Sequence, residues 1–309
     1  MNTSPLKKLL VLLDGSERSL ETVRYLVTTE EFHKASIVLF HVFNAVPECY
    51  WDLAKEPKSI KVVPSMLAWQ SQQKKEMQAY METARDILLE GGFAAKSIRI
   101  HIHNRKNGIA RDILAEARKA YDAVVMRRRG FTLLPEIIMG SVATKIIQRL
   151  NYRPIIIAGL RPPGSRALLA FDGSPGAFRA VEFTGRVIKN NATQLRLLHV
   201  LRGDALPSMG GMFAPKECID DTKARMEKFF QKAIHRLTAI GVAENRITCR
   251  IEEGARSRAA AIAAEAAQGD YGTIIVGRRG QSRVRSFFMG RVGDKLIHLA
   301  RERTIWVIN

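Results

Sequence analysis

The chain repeats itself, and this internal repeat constrains its fold more than any other feature. The segment 9–16, Leu-Leu-Val-Leu-Leu-Asp-Gly-Ser, recurs at 167–174 as Ala-Leu-Leu-Ala-Phe-Asp-Gly-Ser, an offset of 158 positions. At the same offset, Leu-Phe-His-Val at 39–42 matches Leu-Leu-His-Val at 197–200. A chain of 309 residues is about twice the size of a common domain, so the repeat indicates two copies of one domain in tandem.

The later matches place the length difference between the copies and their boundary. Ile113–Ala117 corresponds to Ile262–Ala266 at an offset of 149, so the first copy carries additional residues between its second and third strands. The sequence Arg-Pro-Pro-Gly-Ser at 161–165 suits neither a helix nor a central strand. We therefore predict one domain over residues 1–160 and a second over residues 161–309.

Each copy alternates continuous apolar runs with amphipathic segments. The runs Leu9–Leu13, Ile37–Phe40 and Ile155–Ala158 are typical of strands that are covered on both faces. Between such runs, apolar residues at three- and four-residue spacing, such as Met77 and Met81, predict helices. The pattern predicts an α/β fold in which each half is a Rossmann-like, doubly wound parallel sheet of five strands with helices on both faces.

Composition excludes several classes of protein. No apolar run reaches the roughly 18 residues that a membrane span needs, and the polar first residues do not form a secretory signal, so we expect a cytoplasmic location. Three cysteines without CxxC spacing argue against a disulfide framework or a zinc site: Cys49, Cys218 and Cys249. The formal net charge of +19 would attract nucleic acid or anionic lipid, but basic residues are spread along both halves, which favours a generally basic surface.

The first strand of each copy ends in Asp-Gly-Ser, at Asp14 and at Asp172. In an open α/β sheet, ligands bind beyond the carboxyl ends of the strands. An aspartate at this place can accept hydrogen bonds from a ribose hydroxyl or an adenine amine. Alternatively, the Asp and Ser side chains only cap the following helix. The residues alone leave both interpretations open.

The fourth strand of the second copy leads into a loop that contains glycines at Gly277, Gly280 and Gly290. The first two glycines would let backbone N–H groups approach phosphate oxygens closely. Gly290 opens the next helix, whose N-terminus favours an anion. The position of the loop after a buried strand indicates a phosphate site.

These motifs together resemble those of the universal stress protein family. The resemblance rests on the Leu-Leu-Asp-Gly-Ser strand end, the His-Val strand end and the Gly-x2-Gly-x9-Gly loop, and it covers essentially the whole chain, once per half. It implies flavodoxin-like domains that pair through their last strands. One subgroup of the family binds ATP through Gly-x2-Gly-x9-Gly-(Ser/Thr), in which the loop backbone and the hydroxyl hold the phosphates. The resemblance implies a nucleotide-binding stress-response protein without a dedicated reaction.

The second domain matches the glycine pattern of the binding subgroup except at its last position. It keeps the three glycines and has Arg291 where the hydroxyl belongs. The resemblance further implies that Asp172 lies near the nucleoside and that the backbone of Val200 contacts adenine. Arg291 could point a guanidinium at a phosphate in place of the hydroxyl.

The first domain departs from the pattern at the opposite end of the loop. It has Arg127 where the first glycine belongs, followed by Gly130, Gly140 and the hydroxyl-bearing Ser141. By the same resemblance, Asp14 and Val42 match the nucleoside positions. Arg127 could crowd the loop. The arginines that follow the two fourth strands, at 127–129 and 278–279, are expected to add positive potential at the mouths of the pockets.

We therefore predict a binding and regulatory module that holds an adenine nucleotide, ATP or AMP, in at least one half, with Mg²⁺ only as part of the nucleotide complex. The two halves are expected to pair internally through Ile155–Ala158 and Ile305–Ile308, as a family dimer does. Occupancy would alter the loops at Phe43–Ser65 and Arg202–Lys216 and so change binding to an unidentified protein partner. Whether the tandem chain forms a further homodimer stays open.

Two other functions remain as alternatives. The first is slow nucleotide hydrolysis, although no side chain stands out as a base and we expect no enzyme activity. The second is association with nucleic acid, which the charge permits but the lack of aromatic–basic interleaving does not favour. His101 and His103 could share a metal ion on one strand face, but a solvated strand face is the preferred interpretation because no third ligand follows.

Overall fold

The computed structural model describes residues 6–44, 62–128, 140–162, 164–203, 216–278 and 290–309. Within them the chain forms ten strands and eight α-helices. The strands are β1 Lys8–Leu12, β2 Ser36–Phe43, β3 Ile98–Asn104, β4 Ala123–Arg127, β5 Ile155–Ala158, β6 Arg166–Ala170, β7 Gln194–Arg202, β8 Ile247–Ala255, β9 Thr273–Gly277 and β10 Thr304–Ile308. The helices are α1 Glu17–Val27, α2 Val62–Glu90, α3 Ile109–Glu116, α4 Ser141–Arg149, α5 Pro175–Ile188, α6 Lys216–Ile240, α7 Arg258–Gln268 and α8 Arg291–Leu299.

The strands of both halves belong to one continuous sheet. Its order is β3-β2-β1-β4-β5-β10-β9-β6-β7-β8, so each half contributes five neighbouring parallel strands in the same relative order. The two sets meet where β5 and β10 pair antiparallel, with Ile156 opposite Trp306. The predicted α/β class and the predicted pairing of the last strands are both confirmed, and the two five-stranded sheets merge into one.

Both faces of the sheet are buried, which explains the continuous apolar runs. Successive side chains of a strand point to opposite faces. In β1, Leu9 and Val11 accordingly pack into one apolar core, and Leu10 and Leu12 pack into the other. Helices α1, α2, α5 and α6 cover the first face, and α3, α4, α7 and α8 cover the second. No helix in the described part of the chain is long and apolar enough to cross a membrane.

The helix boundaries follow from local sequence signals. Ser16 and Ser174 are the N-caps of α1 and α5, and each side chain accepts the backbone N–H three residues later. Gly92 and Gly241 follow the ends of α2 and α6 with positive φ angles of 89° and 108°. Because glycine has no Cβ, it adopts this backbone conformation without strain. These signals determine where α1 and α5 begin and where α2 and α6 end.

The junction of the two halves contains a buried aromatic cluster. Trp306 on β10 is 4% exposed, and its indole N–H donates to the hydroxyl of Tyr25, a residue of α1, at 3.0 Å. The Trp306 ring lies 6.4 Å from that of Phe32 and 5.8 Å from that of Phe183, centroid to centroid. Side chains from both domains therefore share one apolar core across the β5–β10 seam.

Two buried arginines tie the ends of helices across this seam. Arg278, which follows β9, donates to the backbone carbonyls of Ile147 and Gln148 and to that of Leu150, at the end of α4. Arg128, which follows β4, donates to the carbonyls of Ala300 and Arg303, after α8, at 2.7 and 2.8 Å. Cations at helix C-termini satisfy carbonyls that lack intrahelical partners.

The expectation that Arg128 and Arg278 raise the potential at the pocket mouths is wrong. Both residues turn away from the pockets and into the interface, where they are 6% and 3% exposed. Their positions are equivalent under the pseudo-twofold relation of the halves. Burial lowers the pKa of Arg128 to about 10, so the guanidinium still carries its charge at neutral pH. The neighbouring arginines at 129 and 279 lie outside the described residues.

Candidate functional site

A cleft of about 380 Å³ opens at the carboxyl ends of the strands in the second domain. It lies over β6, β7 and β9 and reaches the first turns of α7 and α8. Five of the residues predicted from the sequence line this cleft: Asp172, Val200, Gly277, Gly290 and Arg291. The sixth residue predicted in this half, Gly280, lies outside the described residues. The structure therefore brings together every described member of the predicted set in this domain.

Gly277 allows strand β9 to touch the first turn of α5. A Cβ at this position would lie 2.8 Å from the carbonyl carbon of Gly176 and 3.0 Å from the backbone nitrogen of Ala177. Both contacts are to backbone, which cannot rotate away as a side chain could. Because Gly277 has no side chain, only its backbone lines the cleft at this position.

Gly290 closes the glycine-bearing loop and begins α8. Its φ angle is +72°, a conformation that residues with a side chain rarely adopt. A Cβ there would also lie 3.1 Å from the carbonyl oxygen of Arg278, so the two ends of the loop are close together. Arg291 and Lys295, both exposed, follow on the first turns of α8 and line the cleft. Helix N–H groups and two cations thus face the same space.

Asp172 caps a helix and also lines the cleft. Its Oδ1 accepts the backbone N–H of Ser174 at 3.0 Å, and the Ser174 hydroxyl in turn accepts the N–H of Ala177 at 3.1 Å. This arrangement caps α5. Asp172 nevertheless stays partly exposed and lines the cleft. The capping contacts orient the carboxylate toward the edge of the sheet, where a hydroxyl donor can approach it.

His199 and Val200 shape the far side of the cleft. The Nδ1 atom of His199 lies 2.8 Å from the carbonyl oxygen of Phe171, which joins the end of β7 to the end of β6. Burial lowers the pKa of His199, so the neutral ring with its proton on Nδ1 matches this contact. The carbonyl of Val200 accepts the Nε–H of Arg258 at 3.2 Å. Arg258 therefore already occupies a backbone acceptor that the resemblance assigns to adenine.

The lining of the cleft is strongly basic. Among the described residues that line it, Asp172 is the one carboxylate, whereas five side chains contribute cations: Arg202, Arg256, Arg258, Arg291 and Lys295. Four of these basic residues, all except Arg291, were missed at the sequence level. The signal that could have found them is their position, since Arg202 ends β7 and Arg256 and Arg258 follow β8 directly.

The first domain places its nucleoside residues at the equivalent strand ends. Asp14 is exposed, and its Oδ1 accepts both the N–H and the hydroxyl of Ser16, at 3.0 and 2.6 Å. His41 contacts the carbonyl oxygen of Leu13 at 2.8 Å, as His199 does in the other half. Val42 is buried at the end of β2. This part of the predicted site has the same local geometry in both domains.

The glycine loop of the first domain differs more. The guanidinium of Arg127 donates to the carbonyl oxygen of Arg18, in the first turn of α1, at 2.7 Å. Burial lowers the pKa of Arg127 from its usual range. Gly140 has an ordinary φ of −66° and open space where a Cβ would stand, and Ser141 begins α4 as an exposed residue. Gly130 lies outside the described residues.

The histidine pair on β3 packs against a neighbouring strand. The rings of His101 and His103 lie 5.0 and 6.1 Å from that of Phe40, and Nδ1 of His101 is 3.8 Å from a carboxylate oxygen of Glu116. Among the described residues, no group of three His, Cys, Asp or Glu side chains is arranged to hold a metal ion.

Comparison with known proteins agrees with the repeated architecture. A sequence model of the universal stress protein family matches residues 5–155 and again 165–305. A universal stress protein of Mycolicibacterium smegmatis is 24% identical over 196 residues, which span 62% of this chain and 63% of that protein, under two thirds of its length.

A solved structure shares the fold along nearly the whole chain at low identity. A universal stress protein from Archaeoglobus fulgidus DSM 4304 is 21% identical and aligns over 99% of this chain and 97% of that one, with a TM-score of 0.59. A universal stress protein solved in complex with cAMP is 17% identical over 47% of this chain and 96% of its own, with a TM-score of 0.35.

Fold and site together define a tandem protein of the Rossmann-like α/β class, with a ligand-sized cleft at the carboxyl edge of its second sheet half. The family match repeats in both halves and covers most of the chain. The chain belongs to the universal stress protein family, as a two-domain member.

Proposed function

We propose that the protein is a stress-response regulatory module that binds an adenine nucleotide in the cleft of its second domain. The observation that carries the proposal is the convergence of the five predicted residues on one cleft of about 380 Å³. A volume of this size is typical of small-molecule sites. The basic lining adds attraction for an anionic ligand.

The arrangement of groups suggests how the nucleotide lies. The phosphates would sit beside Gly290 and Arg291, where backbone N–H groups and cations face the cleft. The ribose hydroxyls would meet the carboxylate of Asp172. The base would lie beside the end of β7 at Val200, provided that Arg258 shares or releases the carbonyl it now contacts.

The first domain is the weaker candidate for nucleotide binding. Arg127 places a side chain where Gly277 leaves backbone accessible, and that side chain is held by its contact with Arg18. Ser141 keeps the hydroxyl of the binding subgroup at one end of the loop. At the other end, Arg127 replaces the first glycine. We propose that occupancy at physiological nucleotide concentration is confined to the second domain.

Equilibrium dialysis of nucleotide-stripped protein against labelled ATP, AMP and cAMP tests the proposal, with Mg²⁺ and without it. One site per chain is expected. Because a charge-assisted hydrogen bond contributes about 1.5–3 kcal/mol, Arg291→Ala should weaken binding at least tenfold. Ser141→Ala, at the equivalent place in the first domain, is the matched control and should leave the affinity unchanged. Absence of binding at millimolar concentration of all three nucleotides would refute the proposal.

The regulatory step lies beyond the cleft. The loops expected to respond to occupancy, between β2 and α2 and between β7 and α6, lie largely outside the described residues. Limited proteolysis with and without nucleotide would show whether their accessibility changes. Identical cleavage patterns under both conditions would contradict this part of the proposal.

A further inference from the structure

The cations that line the cleft of the second domain fall into two groups on different elements. Arg291 and Lys295 stand on the first turns of α8, next to Gly277 and Gly290. A second group, Arg202, Arg256 and Arg258, stands on the opposite side, where β7 and β8 end and α7 begins. Arg258 begins α7, which packs against α8, so the two groups flank the cleft from neighbouring elements.

The second group has no ion-pair partner in the described part of the chain. The nearest acidic residues on β8 are engaged elsewhere, since Glu252 pairs with Arg250 and Glu253 pairs with Lys223, each at 2.7 Å. The Nε–H of Arg258 contacts the Val200 carbonyl, a neutral acceptor. In the described lining, Asp172 is the one carboxylate beside five cations, so an anion in the cleft would reduce their mutual repulsion.

The first domain provides an internal comparison for this group. At the offsets that relate the two copies, Arg202, Arg256 and Arg258 correspond to Asn44, Asn107 and Ile109. The first domain has Arg105 nearby, but the guanidinium of Arg105 donates to Asn44 at 2.6 Å. The same fold therefore forms without the three arginines. Their presence in the second domain alone points to a ligand and away from a folding requirement.

We propose that the ligand of the second domain is an adenine nucleotide with a second phosphate group on its ribose, separate from the 5′-phosphate chain. This inference rests on the proposed nucleotide site and specifies the class of ligand. The 5′-phosphates lie at Arg291 and Lys295, and the ribose phosphate lies toward the second group. A nucleotide with only a 5′ chain leaves this second group of cations without an anion.

Isomeric ligands change the position of the second phosphate at a constant number of phosphates. Adenosine 5′-diphosphate, adenosine 3′,5′-bisphosphate and adenosine 2′,5′-bisphosphate have the same base and the same number of phosphates. Isothermal titration calorimetry at about 0.15 M salt should show at least tenfold tighter binding of one bisphosphate than of the diphosphate. Equal or tighter binding of the diphosphate would overturn the inference and leave the nucleotide site itself intact. Failure of all three ligands to bind would instead refute the proposed function.

Substitutions identify which cations bind the second phosphate. The double variant Arg202→Gln with Arg256→Gln should lose at least tenfold in affinity for the preferred bisphosphate, and its affinity for the 5′-diphosphate should change by less than threefold. Arg291→Gln should weaken all three ligands. Arg105→Gln removes one cation from the equivalent region of the first domain and should change none of these affinities. An equal loss for both kinds of ligand in the double variant would contradict a dedicated second-phosphate site.

Discussion

Arg278 should contribute more to stability than Arg128, although the two occupy equivalent positions. Arg278→Met keeps the length and most of the volume of the side chain, so it removes hydrogen bonds without opening a large cavity. The guanidinium of Arg278 donates to three carbonyls in and directly after the last turn of α4, and Arg278 is 3% exposed. Each buried acceptor left without a donor costs about 1–3 kcal/mol.

These contributions are partly offset because a buried guanidinium loses its hydration. The desolvation penalty of a buried ion in a protein is several kcal/mol, and the methionine variant no longer incurs it. The net loss expected for Arg278→Met is therefore about 2–4 kcal/mol. Arg128 donates to only two carbonyls, and its Nε and Nη1 atoms are buried without a hydrogen-bond partner among the described residues. Arg128→Met should accordingly cost only about 0–2 kcal/mol.

Urea unfolding followed by circular dichroism measures both variants against the wild type. Arg149→Met is the control, because Arg149 is an exposed residue of the same helix α4, and its substitution should change the free energy of unfolding by about 0.5 kcal/mol or less. The reasoning fails if Arg278→Met stays within about 0.5 kcal/mol of the wild type. It also fails if Arg128→Met is the more destabilised of the two. The number of carbonyls that each arginine donates to would then not decide the loss in free energy of unfolding.

Three further changes test other parts of the structure. Gly277→Ala should cost about 1–3 kcal/mol in thermal unfolding and weaken nucleotide binding because its Cβ meets backbone, whereas Gly140→Ala, with open space at its Cβ, should be neutral. Burial lowers the pKa of His199 from its usual 6.5. The contribution of His199 to stability is therefore fully present above pH 6.5 and is lost as the pH falls toward the folded pKa. His199→Asn should reduce this pH dependence between pH 7 and 5 in urea titrations. Trp306→Phe leaves the buried Tyr25 hydroxyl without its indole donor and should lower the urea midpoint by an amount equivalent to about 1–3 kcal/mol, and an unchanged midpoint would contradict the role of this contact.

The sequence was sufficient to predict the fold and the location of the cleft. Runs such as Leu9–Leu13 identify strands buried on both faces, because only such strands lack polar alternation. The order of strands and helices then limits the topology, and ligands of such sheets bind at their carboxyl edge. Asp172 follows β6 and Gly277 ends β9, two strands far apart in sequence, and the parallel sheet brings their ends together.

The direction of individual side chains could not be predicted in the same way. Arg127 ends β4 and Arg128 follows it, but the first contacts its own domain and the second crosses to the other domain. Successive residues of an extended chain point to opposite sides, and which side faces the partner domain depends on the β5–β10 junction. A run of arginines after a strand therefore indicates positive charge at the sequence level, and only the packing of the halves shows that Arg278 satisfies a helix end.

The two halves differ at a pair of positions where the fourth strand of each domain meets its first helix. In the second domain, Gly277 lies against the backbone of Gly176, and this contact depends on the missing Cβ of Gly277. At the equivalent positions the first domain has Arg127 and Arg18. The guanidinium of Arg127 donates a hydrogen bond to the backbone carbonyl of Arg18. A side chain at the strand end and a hydrogen bond to the helix turn thus replace direct backbone contact. Both copies therefore keep one fold, although a side chain covers this strand end in the first domain and backbone alone forms it in the second.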